Sequence, residues 1–336
     1  MSPGRERLLG LIDGFGRTRV LVLADLVVDE FVHGRAQRVS REAPVLILEH
    51  QRTELRLGGG ANAVHNICAL GARAVLLGVV GADEYGRRLL GLLRAAGAPV
   101  SGVRRQKGWT TPVKSRVLGG GTHSTKQQIV RIDHLERLPG RCPGRDLALK
   151  ALSRDPKVDG VLVSDYGLGF VSPSLARAAV RFARRRGIPS AVDSRYDLLA
   201  FRGMTAVTPN EPEVEAALGL SIGHHRSRLE AAGSRLLEKL KTKAVLITRG
   251  SDGMALFEPG RRPLHIPIWG GDQVADVTGA GDTVIATFTL ALAAGATPEE
   301  ASRLANYAGG IVVMKRGTAT ASAGELREAV RADPAG

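Results

Sequence analysis

The chain has 336 residues, 43% hydrophobic and 24% charged, with 47 Lys and Arg against 33 Asp and Glu for a formal net charge of +14. That balance supports a folded protein with a substantial core and excludes a disordered chain. The longest apolar runs, residues 20–23 and 75–80, stop far short of the roughly 20 residues that a bilayer crossing needs.

Ahead of any apolar run the chain carries Arg5, Glu6 and Arg7, the wrong order for a secretory signal, so a cytoplasmic protein with no membrane partner is expected. Residues 20–26 read as a first strand, 61–70 as a helix, 74–80 as a strand and 83–96 as a helix stopped by Gly97. Short buried strands are expected at 160–164, 190–193, 205–208 and 244–248, with helices at 172–186 and 226–240 between them. Arg184, Arg185 and Arg186 ahead of Gly187 read as a basic last helical turn rather than a nucleic-acid patch. Residues 281–294 and 298–314 close the chain as two helices, Pro298 standing where a first turn tolerates it. Strand and helix alternate, which predicts a layered α/β fold around a mostly parallel sheet.

Two stretches break the alternation. Lid segments, about 35–57 and 111–133, hold β-like runs at 44–57 and 111–133 with no helix between, so antiparallel pairs projecting from the sheet are expected. Residues 119–125, rich in Gly, Ser and Thr, read as a hairpin tip. Only Cys68 and Cys142 are present, too few for a disulfide framework, and His224 and His225 lack metal-site spacing. Aromatic residues make up 4% of the chain, leaving few platforms for stacked bases, so no specific nucleic-acid partner is expected.

The sharpest chemistry lies in Asp276-Val277-Thr278-Gly279-Ala280-Gly281-Asp282, ahead of an apolar helix. Backbone N–H groups of Gly279, Ala280 and Gly281 at a helix N-terminus form an anion cradle. A carboxylate inside such a cradle would repel a phosphate unless it takes a proton from an attacking hydroxyl, which points to phosphoryl transfer with Asp282 as base. An N-capping Asp is the competing account. Asn210 and Glu213 sit one helical turn apart, again matching either a phosphate-facing pair or a plain helix start. Lys114, Arg116 and Arg131 alternate on the lid strands in a way that directs charge to one face.

These motifs resemble the ribokinase-like (PfkB) carbohydrate kinases over nearly the whole chain. DVTGAGD looks like the catalytic signature, Leu57-Gly58-Gly59-Gly60-Ala61-Asn62 the sugar-binding motif, Asn210-Glu211-Pro212-Glu213 the N-x-x-E motif, and Thr248-Arg249-Gly250-Ser251-Asp252-Gly253 the nucleotide loop. The resemblance implies one ribokinase-like three-layer α/β/α domain with an antiparallel β lid. Within the family, Ser40-Arg41-Glu42-Ala43-Pro44-Val45 and Ser164-Asp165-Tyr166 look closest to bacterial D-glycero-β-D-manno-heptose 7-phosphate 1-kinases. Many of those are fused to a C-terminal nucleotidyltransferase, and since the sequence ends soon after Val330 a kinase unit alone is expected. The implied reaction moves the γ-phosphoryl of ATP to the anomeric hydroxyl. Implied sugar ligands are Asp29, Gly59, Gly60 and Asn62, with Lys114, Arg116 and Arg131 for the sugar's phosphate. Thr248, Gly250, Gly253, Asn210 and Asn306 would face the nucleotide, and Glu213 would hold Mg²⁺ through water. A monovalent cation is a further candidate cofactor, and a homodimer through the lid is the expected assembly. Kinases of fructose 1-phosphate or ribose, a nucleic-acid-binding descendant and a silent sugar sensor are the alternatives.

Overall fold

The computed structural model describes residues 4–121, 126–270, 275–315 and 317–333. Its first half comprises α1 (Arg5–Gly14), β1 (Arg19–Val39), β2 (Leu46–Gly59), α2 (Gly60–Ala69), β3 (Arg73–Gly81), α3 (Glu84–Ala95), β4 (Val103–Gln106), β5 (Val113–Gly120), β6 (Gln127–His134) and α4 (Pro143–Ser153). Then follow β7 (Gly160–Asp165), α5 (Pro173–Arg186), β8 (Ser190–Ser194), β9 (Ala206–Val207), α6 (Glu211–Leu218), α7 (Arg226–Leu240), β10 (Ala244–Thr248), β11 (Met254–Phe257) and β12 (Leu264–Ile266). The C-terminal helices are α8 (Ala280–Ala293), α9 (Pro298–Val313) and α10 (Ala323–Ala332).

The main sheet runs β12-β11-β10-β9-β8-β7-β1-β3-β4, parallel from β10 to β4 and antiparallel at its β11 and β12 edge. Side-chain alternation explains why its strands read as unbroken apolar runs. On β7, Val161 and Val163 enter the core on one face while Leu162 enters the core on the other, and β10 divides Val245 and Ile247 from Leu246 in the same way. One core is closed by α1, α2, α3, α8, α9 and α10, the other by α4, α5, α6 and α7, giving three layers. Helix α8 is buried on every side from Asp282 to Leu292, which is why it lacks a polar stripe.

The expected strands and helices are present, with β1 as the main correction. It does not stop at residue 26 but continues to Val39, and its outer half is a lid strand. The apolar run breaks at Asp29 and Glu30, yet the backbone stays extended because β2 pairs with it antiparallel on one side and β5 parallel on the other. Gly34 pairs with His50 beside a bulge, and an added Cβ there would come within 2.8 Å of the Leu48 Cβ. The lid is therefore a sheet of β2, outer β1, β5 and β6 with mixed pairing, not antiparallel pairs alone. Of its expected tip, residues 122–125 lie outside the described residues, and Gly119 and Gly120 belong to β5. Helices α1, α4 and α10 and strands β4, β11 and β12 were not foreseen. Helix α1 carries Gly10 and Gly14 and is held by docking on α10, where Arg327 pairs with Asp13 at 2.6 Å.

Candidate active site

The DVTGAGD turn lies where the C-terminal ends of the parallel strands meet the lid. Gly279 adopts φ 80° as N-cap of α8, and a Cβ there would fall 2.5 Å from Asn62 Nδ2, so both conformation and space call for glycine. Ala280 already donates its N–H to Val277 O at 3.2 Å and so does not supply an expected cradle amide. The first-turn amides of Gly281 and Asp282 remain for an anion, since no helical carbonyl lies four residues before them. Asp282 is not the N-cap. It sits in the first turn, 3% exposed, and accepts hydrogen bonds from Asn62 Nδ2 at 3.1 Å and from the Tyr166 hydroxyl at 2.8 Å. Burial pushes its carboxyl up to about 6, against the pull of those two donors, with Asp29 adding to the rise and Lys114 opposing it. A buried carboxyl poised near neutrality suits a general base.

Helix α2 carries Asn62 to this point. Gly60 lets its first turn close on β1, where a Cβ would strike Ala24, and Asn66 receives a hydrogen bond from Thr283 at 3.0 Å, tying α2 to α8. The expected sugar ligand Asn62 thus also grips the base. Gly58 lies so close to Asp29 that a Cβ would meet its carboxylate at 2.7 Å, and Gly59 takes φ 52° over the Tyr166 ring.

Lid register assembles the charge. Asp29 lies opposite Arg56 on β2 and Lys114 on β5, and Phe31 opposite Glu54 and Arg116, so these side chains share one face. Arg116 donates to Asp29 at 2.7 Å, both buried, and the guanidinium groups of Arg56 and Arg116 each lie 5.3 Å from the Phe31 ring centroid. Burial lowers the Lys114 ammonium, Arg195 adds to that, and Asp29 and Asp282 oppose it. Beneath this face lies a cavity of about 620 Å³ lined by His33, Arg52, Arg56, Arg116 and Lys126 together with Glu54 and Asp276. Arg131 shares the face through its register with Arg116, but it lies exposed on β6 and pairs with Asp133 at 2.8 Å, apart from the cavity.

On the other side of the cradle, Thr248, Gly250, Gly253 and Asn306 line one cavity of about 290 Å³ with Met254, Val284 and Val313, and Ala280 and Gly281 form its inner wall. Asn306 Nδ2 donates to Pro267 O at 2.8 Å, which fixes the amide at the rim. Asn210 and Glu213 form a reciprocal capping box of α6, so the plain helix-start account of their spacing holds structurally. Burial nevertheless pushes the Glu213 carboxyl up. Asp193 on β8 is pushed well above the carboxylate range by burial, then by Glu213 and Asp282.

Sequence reasoning gave no site role to Asp193, Arg52, Arg56 or Lys126, and named Tyr166 only within the Ser164-Asp165-Tyr166 motif. Asp193 near the end of β8 and Tyr166 just after β7 both stand at the sheet's carboxyl edge, a usable signal. Asp25, four residues before Asp29 on β1, accepts backbone N–H from Tyr166, Leu168 and Phe170, each at 3.0 Å.

The sequence model of the "pfkB family carbohydrate kinase" matches residues 24–131 and 171–323, which takes in the turn, the lid and both cavities. The chain belongs to the pfkB carbohydrate kinase family. Two relatives are the bifunctional protein HldE of Geobacter sulfurreducens, 40% identical over 96% of this chain, and that of Pseudomonas syringae pv. syringae, 41% over 94%. This chain spans 65% and 64% of their lengths. In fold it is similar to Arabidopsis thaliana ribokinase complexed with ribose and ATP, with TM-score 0.72, 20% identity and cover of 94% of this chain and 99% of that one. Escherichia coli phosphofructokinase-2 in complex with fructose-6-phosphate gives TM-score 0.69 at 20% identity, covering 94% and 98%. The ribokinase-like α/β fold and a phosphotransferase with an alcohol acceptor follow from membership. Among the described residues no helix is long and apolar enough to cross a membrane.

Proposed function

We propose that the protein transfers the γ-phosphoryl of ATP to the anomeric O1 of D-glycero-β-D-manno-heptose 7-phosphate, giving the 1,7-bisphosphate and ADP. The observation that carries this reading is the position of the turn bearing buried Asp282, whose Ala280 and Gly281 line the apolar cavity beside Thr248 and Asn306 and whose Asp276 and Thr278 line the cation-lined cavity under the lid. The first suits a nucleotide, and the second suits an acceptor bearing its own phosphate. Asp29 would accept two sugar hydroxyls, with Arg116 held beside it. Arg56, Lys126 and His33 would join Arg116 around the distal phosphate, while Lys114 lies nearer Tyr166, 4.7 Å from its ring centroid. Identity of 40% to HldE proteins supports a heptose phosphate over ribose.

In the reaction Asp282 takes the O1 proton as that oxygen bonds to the γ-phosphorus, and the bond to the β,γ-bridging oxygen breaks to release ADP. The Gly281 and Asp282 amides stabilise charge on the moving group. For Mg²⁺ the fit rests on carboxyls that repel one another: Asp193 and Glu213 are both pushed up, and buried Ser164 Oγ and Thr208 Oγ1 have no hydrogen-bond partner. Ser164 is in register with Asp193, and Thr208 follows the next strand, so these groups would receive the waters of a bound ion. When bound, Mg²⁺ neutralises phosphate charge on ATP.

The lid's other face exposes Val130 and Ile132, with Val39, Val45 and Leu46 nearby in the lid, an apolar surface that supports a dimer through the lid. Use of ATP fits a cytoplasmic reaction, carried out by one ribokinase-like kinase domain with lid segments at about 35–57 and 111–133. The deciding experiment is an ADP-release screen over the heptose 7-phosphate, fructose 1-phosphate and ribose. A preference for ribose would overturn the phosphate-bearing acceptor.

A further inference from the structure

We propose that Tyr166 is a positioning residue for the base, its phenol holding Asp282 ionised and turned toward the acceptor hydroxyl from a loop clamped by Asp25. This rests on Asp282 being the base of the reaction above.

The geometry is one-directional. An ionised carboxylate only accepts, so the 2.8 Å contact makes Tyr166 the donor to Oδ1 while Asn62 donates to Oδ2. Burial and the neighbouring Asp282 charge push the phenol well above its usual range, so it keeps its proton at any working pH. The ring has little freedom. Lys114 Nζ stands 4.7 Å from its centroid, and a Cβ on Gly59 would come within 3.3 Å of its edge.

The loop beneath the ring is equally fixed. Asp25, buried on β1, receives the N–H groups of Tyr166, Leu168 and Phe170. Asp165 receives Gly167 N on one oxygen and the Ser194 hydroxyl on the other. Gly167 and Gly169 take φ 70° and 97°, which lets alternate amides turn inward to Asp25. An amide in place of Asp25 keeps only one accepting oxygen and so loses at least one of the three acceptances, which assigns the acid to the loop rather than the sugar.

The groups facing Asp282 set the sign of the effect. Burial and Asp29 from β1 favour its protonated form, whereas Asn62 from α2, Tyr166 from the loop after β7 and Lys114 from β5 favour the ionised one. Asp193 from β8 lies close enough for the Asp282 charge to raise its own proton affinity, which burial already pushes well above the carboxylate range. Removing the phenolic donor therefore raises the proton affinity of Asp282.

The test is Tyr166→Phe, which keeps the ring and its Lys114 contact. Asp282 is titrated in the ligand-free protein by ¹³C NMR of labelled Asp carboxyls, its resonance assigned by loss in Asp282→Asn. The expected result is a midpoint about one unit higher in Tyr166→Phe. The acid limb of kcat for the heptose 7-phosphate should move by the same amount, with a roughly fivefold loss at pH 6 recovered by pH 8.5 and the KM for ATP within about twofold. An unmoved Asp282 midpoint in folded Tyr166→Phe would overturn the proposal. Should that variant not fold, 3-fluorotyrosine at position 166, a stronger donor of similar size, is expected to lower the midpoint, and no change there refutes it equally. Absence of phosphoryl transfer by the unaltered protein would sink the kinase assignment, while the carboxyl titration would still read out the Tyr166 contact.

Discussion

Arg116→Gln separates the two jobs of the buried pair on the lid. Asp29 and Arg116 are 4% and 8% exposed and meet at 2.7 Å, so deleting the cation leaves a desolvated carboxylate. Breaking a buried pair in this way costs about 3–5 kcal/mol, and the open cavity alongside favours the lower end. Spread over the unfolding entropy of a chain this long, that loss lowers Tm by about 4–7 °C. Binding should suffer separately. A charge-assisted hydrogen bond to the acceptor is worth about 1.5–3 kcal/mol, so the KM for the heptose 7-phosphate should rise by roughly 10- to 150-fold while that for ATP stays put. The assay is a melt combined with steady-state kinetics on Arg116→Gln and on the Asp29→Asn/Arg116→Gln double variant, which replaces the ion pair by two neutral amides. The double variant should recover most of the lost Tm and none of the acceptor affinity. An Arg116→Gln protein with unchanged Tm and unchanged acceptor KM would refute both the buried pair and its place in the acceptor site.

Asp282→Asn should lower turnover by about 10²–10⁴ with little change in ATP affinity, measured by coupled ADP release. The same variant should melt higher than the unaltered protein above pH 6. The folded pKa of Asp282 is raised to about 6 from 3.8, so the folded state holds the proton more tightly and stability falls as pH climbs from about 4 through 6, a window the variant lacks. Gly279→Ala, forced into φ 80° with its Cβ 2.5 Å from Asn62 Nδ2, should lose at least about 1 kcal/mol of stability and most of its turnover, read by melt and rate together. Asp25→Ala should release the 166–170 loop and lower Tm by several degrees, with faster amide exchange at Tyr166, Leu168 and Phe170 as the direct readout.

Much of the fold was legible because buried parallel strands and amphipathic helices write different periods into the chain: the apolar runs at 160–164, 190–193 and 244–248 read as core strands and each lies within one. The catalytic turn was legible too, since two Gly and an Ala ahead of an apolar helix leave few conformations to choose among. What could not be read was partnership. Nothing local says that Asn62 and Tyr166, 220 and 116 residues from Asp282, would take one carboxylate oxygen each. Alternation on β5 and β6 put Lys114, Arg116 and Arg131 on one face, but only the packed lid turned the first two inward and left Arg131 at the edge with Asp133.

The sequence by itself determined the layered α/β order, the glycine-bound turn and the kind of chemistry a buried acid beside a phosphate cradle can do, because these follow from spacing within a few residues. Tertiary structure decided where β1 ends, which cations line the acceptor cavity and what holds the base. Those depend on strand register and on contacts between segments far apart in the chain, where desolvation and neighbouring charge act through space.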